Sequence, residues 1–183
     1  IEPTFVGVDV VELARMLARS LATDRLVMDV DENEIHLNLE GDFSRTFHLP
    51  LIDVSESEKE LKLPSQTFDA RVEINARLLK ESLKDAQIFG STVLVKVKDN
   101  RFEMEAKGSQ GTLKTVSKPG DAISAKANGL VSSKYSLNFL SNIVKEADND
   151  SKVLLEFKSD APLRVTYTIG KTKMQYYLAH MIL

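Results

Sequence analysis

Short runs of alternating apolar and polar residues fill this chain, and three stretches with helical periodicity stand among them. The alternation is strictest in TVLVKVKDN (92–100), where Val93, Val95 and Val97 share one side of a half-buried strand. RLVMDVDEN (25–33) and KVLLEFKSD (152–160) are its counterparts. Each follows a predicted helix: VVELARMLARSLAT (10–23), INARLLKESLKDAQI (74–88) and LNFLSNIVKEADND (137–150). A short strand precedes each helix, namely TFVGVD, DARVEI and GLVSSKYS. Two further strands close each segment: EIHLNLE then SRTFHLPL, RFEMEAKG then GTLKTVS, and PLRVTYTI then TKMQYYLA. A unit of strand, helix, strand, strand, strand thus recurs over Pro3–Leu49, Thr67–Ser117 and Asn128–Ala179. A period of roughly 50 residues marks an architecture built by repetition, here α+β with antiparallel sheets. Such units stack into extended sheets and rings more often than they enclose an enzyme pocket. The turns carry the expected chemistry at Asp31–Asn33, Asp99-Asn100, Gly108–Gly111 and Asp148–Asp150.

Residues 50–66 interrupt the repetition. This stretch is polar, acid-rich and bounded by Pro50 and Pro64, and it reads as an extended connector. Leu61 and Leu63 stand out in it as candidates for one wall of a peptide groove. The predicted organisation is residues 1–49, a connector over 50–66, and residues 67–183. The chain opens at Ile1-Glu2-Pro3, inside a repeat and without an initiator Met, which suggests a fragment or a processed product.

Composition narrows the chemistry. With 43% hydrophobic residues the chain can bury a sizeable core, and with no cysteine it has neither disulfides nor thiolates. That suits a reducing intracellular compartment. No apolar run approaches a membrane span, and no signal peptide is visible. A net charge of −3 gives no general affinity for nucleic acid, so any such contact requires a local basic patch.

The helices supply one. Arg15 and Arg19 are four residues apart and share a face; Arg77, Lys80 and Lys84 align on the second helix; Lys145 lies on the third, with Lys134 just before it. The opposite faces are apolar: Leu13, Met16 and Leu17; Leu79, Leu83 and Ala86; Phe139, Leu140, Ile143 and Val144. Glu12, Glu81, Asp85 and Glu146 also sit among the cations, as on any solvated helix. Three equivalent helices with outward cations nonetheless make a candidate track for phosphates, in which no base is read.

Other patterns lead elsewhere. Asp29, Asp31, Asn33 and Glu40 mimic a calcium loop, but Glu34 replaces the required Gly and Ile35–Leu39 alternates as a strand. Gly170-Lys171-Thr172 mimics the end of a phosphate loop, but residue 165 is Val and a strand follows. His36, His48 and His180 lie on separate strands without metal-ligand spacing. No nucleophile elbow or Ser/His/Asp grouping is visible. The expectation is a non-enzymatic protein without metal or cofactor.

Three segments carry a resemblance: SRTFHLPLIDVSESE (44–58), KELKLPSQTFDA (59–70) and APLRVTYTIGKTKMQYYLA (161–179). They resemble the DNA sliding clamps of the proliferating cell nuclear antigen (PCNA) family, and the archaeal members in particular. The resemblance covers the whole chain, with the first of four repeat units lacking. It implies a DNA-clamp fold: the second half of an N-terminal domain (1–49), the interdomain connector, and a C-terminal domain (67–183). It further implies a trimeric ring, homomeric or heteromeric, with helices on the inner face and sheets outside.

The ring would encircle duplex DNA through phosphate contacts and act as a polymerase processivity factor in replication and repair. A clamp loader would open it. Its clients would be PIP-box-type peptides, with a Gln and two aromatics, from DNA polymerase, flap endonuclease and DNA ligase. The matching pocket positions are Leu61, Leu63, Pro162, Tyr177, Ala179 and Ile182. The subunit interface would pair Ser44, Thr46 and His48 with Thr112, Lys114 and Val116 of a neighbour. The implied location is intracellular: cytoplasm or nucleoid in an archaeon, nucleus in a eukaryote. One departure is His180, where the family usually has Pro. Rival readings are a checkpoint-type heterotrimeric clamp subunit and a peptide-binding adaptor that forms no ring.

Overall fold

The computed structural model describes residues 6–53, 66–118, 120 and 122–182. The chain divides into two compact units, Ile1–Pro64 and Ser65–Leu183.

In the first unit, helix α1 (Val10–Leu17) precedes strands β1 (Arg25–Val30), β2 (Glu34–Glu40) and β3 (Ser44–Pro50). Asp9 caps α1, its carboxylate accepting from the backbone N–H groups of Val11 and Glu12. The helix is shorter than the predicted 10–23. Its end tightens into bonds from Arg19 N–H to Met16 O and from Ser20 N–H to Leu17 O, and Asp24 then accepts from the Leu21 N–H. The Asp24 side chain is buried and ion-paired with Arg45 of β3, which fixes this corner. The strands form one antiparallel sheet in the order β1-β2-β3. Ile35, Leu37, Leu39 and Leu49 face its core. Of the predicted opening strand, Gly7 is seen in a single bridge to Ile52; residues 1–5 lie outside the described part. Leu26, Met28 and Val30 of β1 are exposed, as are Val10 and Val11 of α1.

The second unit holds two repeats: β4 (Ala70–Asn75), α2 (Ala76–Gln87), β5 (Thr92–Lys98), β6 (Arg101–Gly108) and β7 (Gly111–Val116); then β9 (Val131–Ser136), α3 (Leu137–Val144), β10 (Lys152–Phe157), β11 (Leu163–Ile169) and β12 (Thr172–Leu178). A strand that the sequence pattern does not announce, β8 (Ile123–Ala127), lies between them. The two sheets run β12-β11-β10-β4-β8 and β7-β6-β5-β9, antiparallel throughout. Each repeat therefore lends its first strand to the other's sheet: β4 pairs with β10, and β9 with β5.

Asn75 and Ser136 cap α2 and α3 through side-chain oxygens that accept backbone N–H bonds. Leu79, Leu83 and Ala86 of α2 join Leu137, Leu140 and Val144 of α3 in a core that both sheets share. Phe139 does not: it is 62% exposed, because the buried stripe of this short helix runs through positions 137, 140 and 144. The predicted continuation to residue 150 is replaced by tight turns, with Lys145 N–H bonded to Asn142 O and Ala147 N–H to Val144 O. Asp99 and Asn100 both adopt positive φ and close the β5–β6 hairpin in two residues, where their short polar side chains tolerate that backbone. The calcium-loop and phosphate-loop mimics are hairpin turns, between β1 and β2 and between β11 and β12. No helix among the described residues is long and apolar enough to cross a membrane.

Candidate nucleic-acid and peptide interfaces

Helix geometry brings three of the six predicted cations together. Lys80 and Lys84 of α2 and Lys145 just past α3 line a groove of about 430 Å³ between the two helices, with Gln87, Ser141 and Asn149. Lys80 is tied down in it: its ammonium donates to Ala147 O at 2.6 Å and to Asn149 Oδ1 at 3.0 Å, bracing the turn after α3. Lys84 pairs with Glu81 at 2.7 Å and Lys145 with Glu146 at 3.7 Å. Arg77, one turn before Lys80, reaches Asp150 at 3.3 Å. In the first unit Arg15 pairs with Glu12 at 2.7 Å, and Arg19 is exposed past the end of α1. All of these pairs are at the surface, where an ion pair contributes about 0–1 kcal/mol. Apart from the braced Lys80, the paired cations stay open to a competing anion such as a phosphate.

The predicted peptide-pocket residues fall in several places. Leu61 and Leu63 lie outside the described residues. Pro162 lines a cavity of about 210 Å³ with Gln66, Thr67, Phe68, Lys158 and Ala161. Tyr177 and its neighbour Tyr176 point to opposite faces of β12, as strand geometry requires. Tyr176 stacks on Tyr167 with ring centroids 6.0 Å apart and packs against the core. Tyr177 lies on the other face, its hydroxyl accepting from Gln175 at 2.7 Å, opposite Arg164 in register.

Arg164, which the sequence does not single out, is the register partner of Tyr177. It lies 4.3 Å over the Phe68 ring and donates twice to Glu156 Oε2, at 2.8 and 2.5 Å. Partial desolvation works against its charge, but Glu156 and Tyr177 outweigh this and hold it more firmly protonated. Phe68, Arg164, Tyr177 and Pro162 thus give this face aromatic, cationic and apolar elements. Beyond β12, the Met181 N–H donates to Lys134 O of β9 at 2.8 Å. Ala179 and Ile182 are exposed, Ile182 to 91%.

The predicted interface residues fall on β3 and β7, two strands that among the described residues are paired on one side only. Ser44, Thr46 and His48 alternate on the exposed face of β3, and Thr112, Lys114 and Val116 on that of β7. Thr46 donates to Asn38 at 2.7 Å, and Lys114 bridges Glu103 at 3.0 Å and Glu105 at 3.4 Å. His36 and His48 lie on separate strands, yet they are direct cross-strand partners, and with Glu34 they place three potential metal ligands within 4.8 Å of one another. His180 belongs to the second unit.

The sheets and helices match those of a solved structure, the PCNA from Thermococcus kodakaraensis, with a TM-score of 0.84 over 94% of this chain and 72% of that one at 22% identity. The architecture is a DNA-clamp fold. The proliferating cell nuclear antigen C-terminal domain family matches residues 62–182. The chain is 33% identical over 172 residues to DNA polymerase sliding clamp 1 of Thermococcus kodakarensis, covering 92% of this chain and 68% of that protein. It is 31% identical over 182 residues to the DNA polymerase sliding clamp of Thermococcus gammatolerans, covering 97% and 72%. The chain belongs to the PCNA family of sliding clamps.

Proposed function

We propose that this chain is a subunit of a non-enzymatic ring that encircles duplex DNA and tethers a polymerase to it. Residues 1–49 would form the second half of an N-terminal clamp domain, 50–66 the connector and 67–183 the C-terminal domain. Polar edge strands on both units support head-to-tail closure of β3 on a neighbour's β7, a contact that closes by rotation. The observation that carries the DNA reading is charge segregation: a chain of net charge −3 gathers Lys80, Lys84 and Lys145 in one interhelical groove. Arg77, Arg15 and Arg19 extend the same chemistry along α2 and α1. Weak phosphate contacts of this kind give affinity without sequence choice.

A client peptide with aromatic anchors would meet Pro162, Tyr177, Phe68 and Arg164, with Ala179 and Ile182 along the tail. His180 keeps a backbone N–H where a Pro would have none, and so adds a donor to that tail.

Primer extension by a replicative polymerase on primed circular DNA tests the reading. The chain should lengthen the products. Arg77→Ala, Lys84→Ala and Lys145→Ala combined should abolish that gain with unchanged sedimentation, each substitution reducing the salt slope of DNA binding by about 1. Lys80 is left intact because it braces the fold. No lengthening by the chain, or full activity in the triple variant, would sink the proposal.

A further inference from the structure

We infer that Glu34, His36 and His48 of the first unit form a binding site for a divalent transition-metal ion, zinc(II) foremost. Glu34 and His36 are two apart on β2 and so project to one face. His48 of β3 is the register partner of His36, which puts all three on that face. Glu34 Oε2 lies 3.1 Å from His48 Nδ1 and 3.5 Å from His36 Nε2. Zinc bonds of about 2.0–2.2 Å in a tetrahedron set neighbouring ligand atoms roughly 3.3–3.6 Å apart, so these spacings suit one shared ion. The two rings meet edge to face with centroids 4.5 Å apart, and one ligand atom from each of the three residues lies within 4.8 Å of the others.

Two carboxylates complete the surroundings. Asp31 Oδ2 lies 3.4 Å from the same His36 Nε2. Its other oxygen accepts from the N–H groups of Asn33 and Glu34, both at 2.8 Å, which fixes the carboxylate as a negative neighbour of His36. Asp29 of β1 pairs with His36 in register from the other side and adds negative charge to the same row. With both imidazoles neutral, the cluster is anionic and offers two nitrogens and at least one oxygen. That set suits zinc and its neighbours and is a poor host for magnesium or calcium, which take oxygen ligands. His36 is only 27% exposed, so one ligand is already held by packing, while the open side gives an ion its entry path. An ion here would staple β2 to the edge strand β3. The site lies wholly in the first unit and does not rest on the clamp reading.

The test is a zinc titration of the full chelator-stripped chain against a chromophoric zinc indicator, with imidazole resonances followed by NMR. One zinc per chain should bind and should shift the His36 and His48 signals, leaving His180 in place. Magnesium should not compete. His36→Ala and His48→Ala should each weaken binding on the order of tenfold or more, while His180→Ala should leave it unchanged. The wild-type NMR shifts stand on their own if a variant folds poorly. No zinc uptake, a shift confined to His180, or undiminished binding by a well-folded His36→Ala/His48→Ala double variant would overturn the site.

Discussion

The repeats of the two units share the succession of a helix and three strands, yet their helices fare differently. No side chain of α1 is fully buried, whereas α2 buries Ala76, Leu79, Leu83 and Ala86, and α3 buries Leu137, Leu140 and Val144. The apolar stripe of α1 is as well formed in sequence as theirs. What differs is the sister repeat. In the second unit each helix packs beside the other, and each alternating strand, β5 or β10, is covered along its edge by the other repeat's first strand. In the first unit β1 is an edge strand among the described residues, with Leu26, Met28 and Val30 exposed. Burial in the second unit comes from pairing between its two repeats, not from helix propensity, in keeping with the general dependence of helix stability on tertiary packing.

Core truncation is the sharpest way to break that comparison. Leu83→Ala should destabilise the second unit by about 2–5 kcal/mol. Leu13→Ala, at the equivalent stripe of α1, should cost about 1 kcal/mol or less. Amide hydrogen exchange reads each unit separately, and equal losses would refute the sister-repeat explanation.

An alkaline titration comes next in size, because all four tyrosines lie in the second unit. Burial, reinforced by Asp160 and only partly offset by a hydrogen bond with Ser133, pushes the Tyr135 hydroxyl up to about 12. Tyr167 is likewise pushed up to about 12 by burial and by Tyr176. Folding favours the neutral phenol, so its contribution is complete below pH ~10 and is lost as pH rises from about 10 towards 12. The second unit should therefore lose stability in that window through a term that the first lacks. Tyr135→Phe should shallow the decline, at a neutral-pH cost of about 1 kcal/mol for the lost bond to Ala161 O. An unchanged alkaline slope in this variant would count against the burial of Tyr135.

The smallest effect is acidic. Lys96 and then Lys114 hold the Glu105 carboxylate below its usual range against a modest desolvation cost. Its contribution is present above the ordinary carboxylate range and fades as pH falls through the lowered value. Lys96→Ala should slightly flatten acid unfolding of the second unit and leave the first untouched. Urea titrations from pH 5 downwards would measure the change in slope.

Much of this fold is legible in the sequence because its signals are local. The alternation through Val93, Val95 and Val97 and the Asp99-Asn100 turn specify a hairpin without outside help. Strand β8 was not legible: its ISAKA stretch has weak strand character, and pairing with β4 is what makes it one. Phe139 was misassigned because α3 stops at Val144, and a short helix offers too little length to fix its buried stripe. The histidine pair was hidden by distance along the chain, although the three-residue connection at 41–43 sets the β2–β3 register that pairs 36 with 48. Phe68 and Arg164 carry no motif. Their meeting depends on β11 and on the approach to β4, which no spacing rule links.

The exchange of first strands in the second unit bears on how it is made at the ribosome. Strand β4 emerges early, but its sheet partner β10 follows only after α2, β5–β9 and α3 have been synthesised. Until then β4 has only β8 beside it in its sheet, and neither repeat can complete a sheet alone. Contacts this distant in sequence slow folding and lengthen the time for which apolar surface is open to wrong partners. The nascent second unit is therefore a natural substrate for holding chaperones, and its folding is a single late event gated by release of the C-terminal strands.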